Sequence, residues 1–246
     1  MSRGGQAGGV EAPGSQLSVV IPFFNEEANA GSLLAEIEQV LSSVGASYEI
    51  LTVDDGSQDG TLAVLSERAA ANPRIRVLSM DRNRGQAAAL YHGLRTARAP
   101  VIITMDGDGQ NDPTDIPGLL SQLDEFDMVV GIRDASRRRP LRRWMSKLAN
   151  AVRGRLLHDH MRDSGCALKV FRREVVDAFI PILTLYSFMP ALAQSAGFKI
   201  GQRDVRHRSR TGGVSSYGLR QFLWRPLLDL IGVCWFIRRR FRLPRA

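Results

Sequence analysis

Residues 17–61 decide the fold of this chain: LSVVIPFFNEEANAGSLLAEIEQVLSSVGASYEILTVDDGSQDGT. Two runs rich in Val, Ile and Leu, residues 17–22 and 48–53, have the length and β-branched content of buried strands. Between them, over residues 33–44, apolar side chains recur every three or four positions, and Gly45 stands where such a helix would end. The stretch therefore predicts a strand, a helix and a second strand.

The same alternation continues along the chain. Further strands are predicted at residues 75–79, 101–105 and 128–132, and further helices at residues 61–71 and 86–98. Strands that alternate with helices at this spacing form right-handed crossovers, which gives an open, mostly parallel sheet covered by helices on both faces. Ligands of such a sheet bind beyond the carboxyl ends of its strands.

Composition indicates an ordinary globular protein. The chain has 246 residues, of which 44% are hydrophobic and 24% charged, enough for one large domain with a buried core. Cys166 and Cys234 stand far apart, and with only four histidines they indicate neither a disulfide framework nor a structural zinc site. No apolar segment precedes Arg3 and Glu11, so we expect no signal peptide.

Charge divides the chain into two unlike halves. Residues 1–123 contain 8 Lys/Arg and 15 Asp/Glu, a net charge of −7, whereas residues 124–246 contain 25 and 10, a net charge of +15. The two values add to the overall +8. Arginine dominates the cations, and its planar fork suits phosphate recognition, although a compositional bias toward Arg would look the same.

The turn after the first predicted strand disfavours two common nucleotide-binding classes. The sequence there is PFFNEE, where a dinucleotide-binding fold would need the glycine-rich G-x-G-x-x-G turn. The chain also lacks the G-x-x-x-x-G-K-[ST] motif of P-loop NTPases.

Acidic residues come directly after the second and fourth predicted strands. Asp54 and Asp55 begin a DDGS turn, which could be only a turn and helix cap, or could bind a ribose diol, a base N–H or a metal. Asp106 and Asp108 form an Asp-x-Asp pair, whose oxygen ligands suit Mg²⁺ or Mn²⁺ held partly by substrate phosphates. A calcium-binding EF-hand is disfavoured, because Leu119 stands where its last glutamate would be.

These motifs carry a family resemblance. SVVIPFFNEE, ILTVDDGSQDGT, NRGQAAALYHGLRTA and MDGDGQNDP, in this order, resemble the nucleotide-sugar-binding half of the inverting family 2 glycosyltransferases, which have the GT-A fold. DSGCALKVFRREV (163–175) and RTGGVSSYG (210–218) resemble the branch that uses polyprenyl phosphates, typified by dolichyl-phosphate mannose synthases and bacterial undecaprenyl-phosphate glycosyltransferases. The resemblance covers residues 17–218.

The resemblance implies a role for each matching residue. The residues implied to bind the nucleotide sugar are Pro22, Asn25, Glu26, Asp54, Asp55 and Asp106. The implied ligands of Mg²⁺ or Mn²⁺ are Asp108 and Gln110, with Asp106 beside them against the nucleotide, and the implied catalytic residues are Asp106, Asp108, Arg133 and Asp163. The candidate acceptor-phosphate residues are Ser164, Arg172, Arg208, Arg210 and Ser215. Ser164 could line either the sugar or the acceptor site, and Arg172 could contact a phosphate or only be solvated at the start of the next helix. Ser216 stands where many members have a lysine, whose charge Arg208 or Arg210 could replace.

Two basic, amphipathic segments predict contact with a membrane surface. Residues 133–155 hold nine Lys/Arg against one acid, with apolar residues spaced by three or four, and residues 222–237 form an apolar run with several arginines after it. The second run is too short and too interrupted to span a bilayer. Either segment could instead be a helix that packs its apolar stripe on the core. A third run, 178–198, predicts buried helices with a turn, because prolines interrupt it.

The sequence therefore predicts a disordered tail at 1–16, a GT-A catalytic domain at 17–218 that includes a basic acceptor or membrane segment at 133–160, and a membrane-associated segment at 219–246. The predicted reaction is metal-dependent, inverting transfer of a sugar from a UDP- or GDP-linked donor to a polyprenyl phosphate, at the cytoplasmic face of the membrane. A family 2 transferase with a soluble acceptor is the alternative. A nucleic-acid-binding protein is disfavoured, because the acidic motifs would repel a phosphate backbone.

Overall fold

The structure is a computed structural model that describes residues 14–134, 153–209 and 221–240, with side chains in the last range from residue 228 onward. Several sequence predictions lie outside these ranges. They are most of the tail at 1–16, most of the basic segment at 133–155, and the acceptor residues Arg210 and Ser215 with their neighbour Ser216.

The described strands form one seven-stranded sheet. They are β1 Leu17–Phe23, β2 Tyr48–Asp54, β3 Ile75–Ser79, β4 Val101–Thr104, β5 Met128–Arg133, β6 Lys169–Arg172 and β7 Ile200–Val205. The spatial order is β3-β2-β1-β4-β6-β5-β7, and every neighbouring pair is parallel except the two that involve β6. The predicted mostly parallel sheet is confirmed, and the five predicted strands match β1 to β5 within one residue at each end.

Six α-helices accompany the sheet in the described ranges. They are α1 Glu27–Val44, α2 Thr61–Ala71, α3 Gln86–Thr96, α4 Ile116–Leu120, α5 Leu185–Ser195 and α6 Gln221–Arg239, with 3₁₀ turns at Pro113–Asp115 and Arg173–Ala178. Gly45 ends α1 with a φ of 74°, as predicted, because a left-handed residue there costs glycine little. Much of the run 178–198 is buried, although Leu183 is 60% exposed, and it contains one helix, α5, which accommodates Pro190 in its interior.

Helices cover both faces of the sheet, so alternate residues of each central strand enter different cores. Along β1, Val19 and Ile21 face the core beneath α1 and α2, whereas Val20 faces the core shared with α3 and α5. Leu230 and Val233 of α6 are buried in this second core. None of the described helices combines the length and the apolar character needed to cross a bilayer.

A buried carboxylate ties three elements together at the amino-terminal edge of the sheet. Glu49 on β2 accepts hydrogen bonds from the Ser18 hydroxyl at 2.6 Å, the Arg98 amide at 3.1 Å and the Arg76 guanidinium at 2.8 Å. Burial by itself would raise the pKa of Glu49, but these donors outweigh it and lower the pKa below its ordinary value of 4.5. The charged form of Glu49 therefore stabilises the fold.

We expect Glu49→Gln to lower the free energy of unfolding by about 2 kcal/mol near pH 7, because buried donors lose a charged acceptor. The folded-state pKa of Glu49 is lowered, so its contribution is present above pH 4.5 and is lost as the pH falls through the folded pKa. Chemical denaturation of both proteins at pH 7 and in acid should show the difference shrinking at low pH. Glu67→Gln, at an exposed position on α2, is the matched control. A difference that stays constant with pH would contradict this role.

Candidate active site

Three strand ends lie side by side at the carboxyl-terminal edge of the sheet. β1 is in the middle, with Phe23 opposite Asp54 of β2 and Val20 opposite Thr104 of β4. The loops that leave these strands contain both acidic motifs. Parallel pairing therefore brings together the residues that the sequence places in separate motifs.

The loop after β1 is joined to the loop after β2 by hydrogen bonds. Asn25 has a φ of 53°, a conformation that asparagine tolerates better than most residues, and its Oδ1 accepts from the Gln58 amide at 2.8 Å. The Asn25 amide in turn donates to Ser57 Oγ at 3.1 Å. The Glu26 carboxylate is buried and accepts from Asn29 Nδ2 at 2.6 Å. Pro22, Asn25 and Glu26 therefore lie in the loop beside Asp54, and their role in nucleotide binding stays a prediction.

The two adjacent carboxylates of the DDGS turn have different surroundings. Both are buried, and Asp54 accepts only long hydrogen bonds, 3.3–3.4 Å, from the Ser57 amide. Asp55 accepts from the Arg84 amide at 2.7 Å and from the Gly85 amide at 2.8 Å. Burial raises the pKa of Asp55 in spite of these two donors. Asp55 fixes the loop before α3 in place.

That loop connects the two acidic motifs. Its next residue, Gln86, opens α3 and donates a side-chain hydrogen bond to Asp106 Oδ1. The chain of contacts therefore runs from Asp55 through the backbone of Gly85 to Gln86 and Asp106. Gln86 is absent from the predicted site residues, although the NRGQ motif that contains it is part of the family resemblance.

The loop of residues 106–110 packs directly on β1. A Cβ on Gly107 would lie 2.5 Å from the Phe23 ring and 2.8 Å from the Pro22 carbonyl oxygen, so only glycine allows this approach. The Asp108 carboxylate accepts from the Gln110 amide at 3.1 Å, and the Gln110 carbonyl accepts from the Arg208 amide at 2.9 Å. Asp108 and Gln110 are therefore held on one tight turn beside Asp106.

Asp106 carries an unfavourable charge in this arrangement. Burial, together with the negative charge of Asp108, raises its pKa to about 6, while Lys169 and Arg133 oppose the shift. Such a shift is typical of functional carboxylates. A divalent cation beside Asp106 and Asp108 would relieve their repulsion.

Arg133 and Asp163 form a bidentate ion pair. Arg133 Nε donates to Asp163 Oδ2 at 2.8 Å, and Arg133 Nη2 donates to Asp163 Oδ1 at 3.0 Å. Burial works against charge on Arg133, but the pairing with Asp163 outweighs burial and raises the pKa of the guanidinium. Ser164, the next residue, is buried in the same loop. The structure therefore brings the predicted residues Arg133, Asp163 and Ser164 together near Asp106.

Lys169 is a charged residue that the predicted site does not include. It begins β6, its side chain is 1% exposed, and its ammonium donates a hydrogen bond to the Cys166 carbonyl. Burial lowers its pKa to about 8, although Asp106 and Asp163 interact with it favourably. The strand is only four residues long and also contains Arg172, so the sequence gives no periodic signal that marks Lys169 as buried.

The prediction that Arg172 binds the acceptor phosphate is wrong. β6 runs antiparallel to β4, with Lys169 opposite Thr104 at the site and Arg172 opposite Val101 at the far edge of the sheet. The Arg172 guanidinium donates to the Leu123 carbonyl there, at 2.7 Å.

Arg208 is near the site but is bound to two carboxylates. Its guanidinium lies 2.6 Å from Glu36 Oε2 and 3.0 Å from Asp112 Oδ1. Burial would raise the pKa of Asp112, but hydrogen bonds from Thr114 and the charges of Arg208 and Arg206 lower it. Arg208 can reach an acceptor phosphate only if these pairs rearrange, so its assignment to the acceptor stays a prediction.

The donor set fits a hard divalent cation. Asp106, Asp108 and Gln110 offer two carboxylates and one amide oxygen on a single turn, which suits Mg²⁺ or Mn²⁺ completed by phosphate oxygens and water. Within the described ranges, no cluster of three or more His, Cys, Asp or Glu side chains could hold a metal ion. These three side chains would supply only part of a coordination sphere, which a phosphate-bearing ligand would complete.

Comparison with known proteins supports the resemblance. The family profile described as glycosyl transferase family 2 matches residues 18–179. Dodecaprenyl-phosphate galacturonate synthase from Rhizobium johnstonii is 36% identical over 233 residues, which cover 92% of this chain and 69% of that protein. Undecaprenyl-phosphate 4-deoxy-4-formamido-L-arabinose transferase from Shewanella sediminis is 37% identical over 210 residues, which cover 84% of this chain and 63% of that protein. The chain thus spans about two thirds of these relatives.

Solved structures show the same fold at low sequence identity. Glucosyl-3-phosphoglycerate synthase from Mycobacterium tuberculosis, in complex with Mn²⁺ and UDP-glucose, has a TM-score of 0.66 at 19% identity, covering 95% of this chain and 81% of that chain. A mannosyltransferase from Pyrobaculum calidifontis, in complex with GDP-mannose and Mn²⁺, has a TM-score of 0.64 at 19% identity. The match covers 94% of this chain and 66% of that chain. The mixed α/β prediction is confirmed at this level.

We expect Gly56→Ala to distort the site, because a Cβ there would lie 2.5 Å from the backbone of Arg82, at a φ of 67°. The clash displaces the loop that Asp55 holds, which should cost about 2–4 kcal/mol of unfolding free energy from strain and overpacking. Gly45→Ala is the matched control, since its φ is 74° but its Cβ would meet open space. Denaturant melts should show the larger loss for Gly56→Ala, and equal losses would contradict this packing.

Proposed function

This chain belongs to glycosyl transferase family 2, and we propose that it moves a sugar from a nucleoside diphosphate sugar to a polyprenyl phosphate with inversion at the anomeric carbon. The observation that carries the proposal is the convergence of both acidic motifs and the Arg133–Asp163 pair at one sheet edge. The two relatives described above are named for transfer to dodecaprenyl or undecaprenyl phosphate.

The nucleoside would bind across the ends of β1 and β2. The Asp54 carboxylate is buried at this edge and, among the described residues, accepts only long hydrogen bonds from the Ser57 amide, so it can accept from a base or ribose. Asn25 and Glu26 would line the same cleft. Asp55, whose oxygens accept from backbone amides, would shape this cleft rather than contact the nucleotide.

The diphosphate would lie over residues 106–110, with Asp108 and Gln110 holding the cation and Asp106 beside them. When bound, Mg²⁺ or Mn²⁺ would neutralise the charge that builds on the β-phosphate as the bond to the anomeric carbon breaks. Arg133, oriented by Asp163, would face the same phosphates and stabilise the same charge. Inversion results if the acceptor oxygen attacks the sugar from the opposite side.

A phosphate acceptor suits this site because it needs no general base. A polyprenyl phosphate is already ionised near pH 7, whereas a sugar hydroxyl must lose a proton during attack. Two carboxylates near the site that could serve as a base are engaged: Asp163 in the bidentate pair with Arg133, and Asp112 with Arg208 at a lowered pKa. This observation favours a lipid phosphate over a soluble hydroxyl acceptor, which remains the alternative.

Peripheral contact with the cytoplasmic face of a membrane is part of the proposal, and α6 supports it. Leu228, Ile231 and Trp235 lie on one helical face and are 66%, 61% and 61% exposed. The helix is held in this orientation because Asp229 accepts from the Thr184 hydroxyl at 2.6 Å and amide at 3.0 Å, on the packed side.

Charge at the end of α6 complements an anionic surface. Arg238 and Arg239 are exposed there, and the Arg239 guanidinium lies 5.6 Å from the centre of the Trp235 ring. Tryptophan and arginine together are typical of helices that lie in a membrane interface. An apolar row with cations at one end therefore fits a bilayer of anionic lipids.

The reaction is tested by supplying undecaprenyl phosphate, Mn²⁺ or Mg²⁺, and a panel of labelled UDP- and GDP-sugars that includes galacturonate and formamido-arabinose donors. We expect label to enter the organic phase with one donor, only with metal, and Asp108→Asn to reduce turnover at least about 100-fold by removing a metal ligand. Glu67→Gln, on the exposed face of α2, is the control. Transfer to water-soluble acceptors without lipid dependence would contradict the proposal and support the alternative.

Membrane contact is tested by sedimentation with vesicles of phosphatidylethanolamine and phosphatidylglycerol. Replacing Leu228, Ile231 and Trp235 together by serine should weaken binding at least about tenfold, because three apolar side chains lose their transfer free energy. Leu62→Ser, an exposed leucine on α2, is the matched control and should bind like the unaltered protein. Equal binding by the triple variant would show that α6 is not the contact surface.

A further inference from the structure

Lys169 is almost fully buried, so a substrate cannot touch it, and it lies opposite Thr104, two residues before Asp106 of the acidic loop. It pairs with Thr104 on one side and Val130 on the other, so β4 and β5 enclose it. Its ammonium interacts electrostatically with Asp106, Asp163 and Arg133. Charges in a buried environment interact over longer distances and more strongly than charges in water.

The charges around Lys169 nearly balance. Asp106, Asp108 and Asp163 supply three negative charges, and Lys169 and Arg133 supply two positive ones, so these five side chains together carry a net charge of −1. A divalent cation by itself would reverse that charge to +1. A cation that arrives with a nucleoside diphosphate sugar, which carries two negative charges, leaves the net charge unchanged.

We propose that Lys169 is a resident counter-ion for the acidic loop, which weakens the binding of a divalent cation alone and so makes cation binding depend on the nucleotide diphosphate. This inference rests on the proposed function, because it concerns the same cation and the same donor. Lys169 is a positioning residue, since it acts through Asp106 and through the Cys166 carbonyl rather than on reacting atoms. Its charge keeps the two carboxylates of the loop together in the absence of metal.

The test is a titration with Mn²⁺ at pH 7, monitored by electron paramagnetic resonance of the free ion, without nucleotide and with UDP or GDP. Lys169→Met removes the charge, Lys169→Gln removes the charge but keeps a donor for the Cys166 carbonyl, and Lys169→Arg keeps the charge. Circular dichroism confirms that each variant is folded.

We expect the unaltered protein to bind Mn²⁺ at least about tenfold more tightly with nucleotide than alone. The two neutral variants should bind Mn²⁺ alone about tenfold more tightly than the unaltered protein, because one nearby positive charge is gone. Their gain from nucleotide should shrink by the same factor, while Lys169→Arg should stay within about threefold of the unaltered protein. A purely structural role for Lys169 would weaken Mn²⁺ binding instead.

Unchanged or weaker Mn²⁺ binding in a folded neutral variant would overturn the inference and leave the proposed function standing. If both neutral variants failed to fold, the unaltered protein and Lys169→Arg would decide the question. Equal Mn²⁺ affinity of the unaltered protein with and without nucleotide would overturn the inference. Tighter Mn²⁺ binding with nucleotide, in the unaltered protein and in Lys169→Arg alike, would support it. Failure of both UDP and GDP to bind with Mn²⁺ would contradict the inference and the proposed function together.

Discussion

The insertion of β6 between β4 and β5 is the constraint on which the site depends. β6 is the only strand in the described sheet that runs antiparallel to its neighbours, so its first residue lies at the edge where β4 and β5 end. The loop that enters β6 therefore crosses the carboxyl-terminal edge of the sheet, bringing Asp163 to Arg133 and Lys169 to Asp106. A parallel strand in this position would carry the same residues to the opposite edge.

Buried charge is arranged in pairs and chains around this edge. Asp55 accepts two backbone amides, Asp163 holds Arg133 in a bidentate pair, and Gln86 donates to Asp106. Each contact offsets part of the cost of burying a charge, and each also fixes a loop. The charge of Asp106 is nevertheless opposed by burial and by the neighbouring charge of Asp108. This carboxylate lies where the cation is proposed to bind.

The sequence predicts the first five strands, α2 and α3 closely, because hydrophobic periodicity and strand-end motifs are local signals; it finds the apolar face and the end of α1 but not its first six residues. It does not predict β6 and β7, since KVFR is only four residues long and IGQRDV is largely polar. The wrong placement of Arg172 has the same origin, because the direction of β6 decides which of its residues lie at the site. The sequence also does not predict that Lys169 is buried, because its burial depends on two non-local strand pairings. Asp106, Asp108 and Gln110 are predictable, since a tight turn keeps them adjacent.

The central claim is that a divalent cation bound at residues 106–110 joins the protein to a nucleoside diphosphate. It is tested most directly by anomalous diffraction from crystals grown with Mn²⁺ and UDP or GDP. The account predicts one anomalous peak within coordination distance of Asp108 and Gln110, with the diphosphate completing the coordination and the nucleoside beside Asp54. A peak away from this turn, or a nucleotide bound at the opposite edge of the sheet, would contradict it.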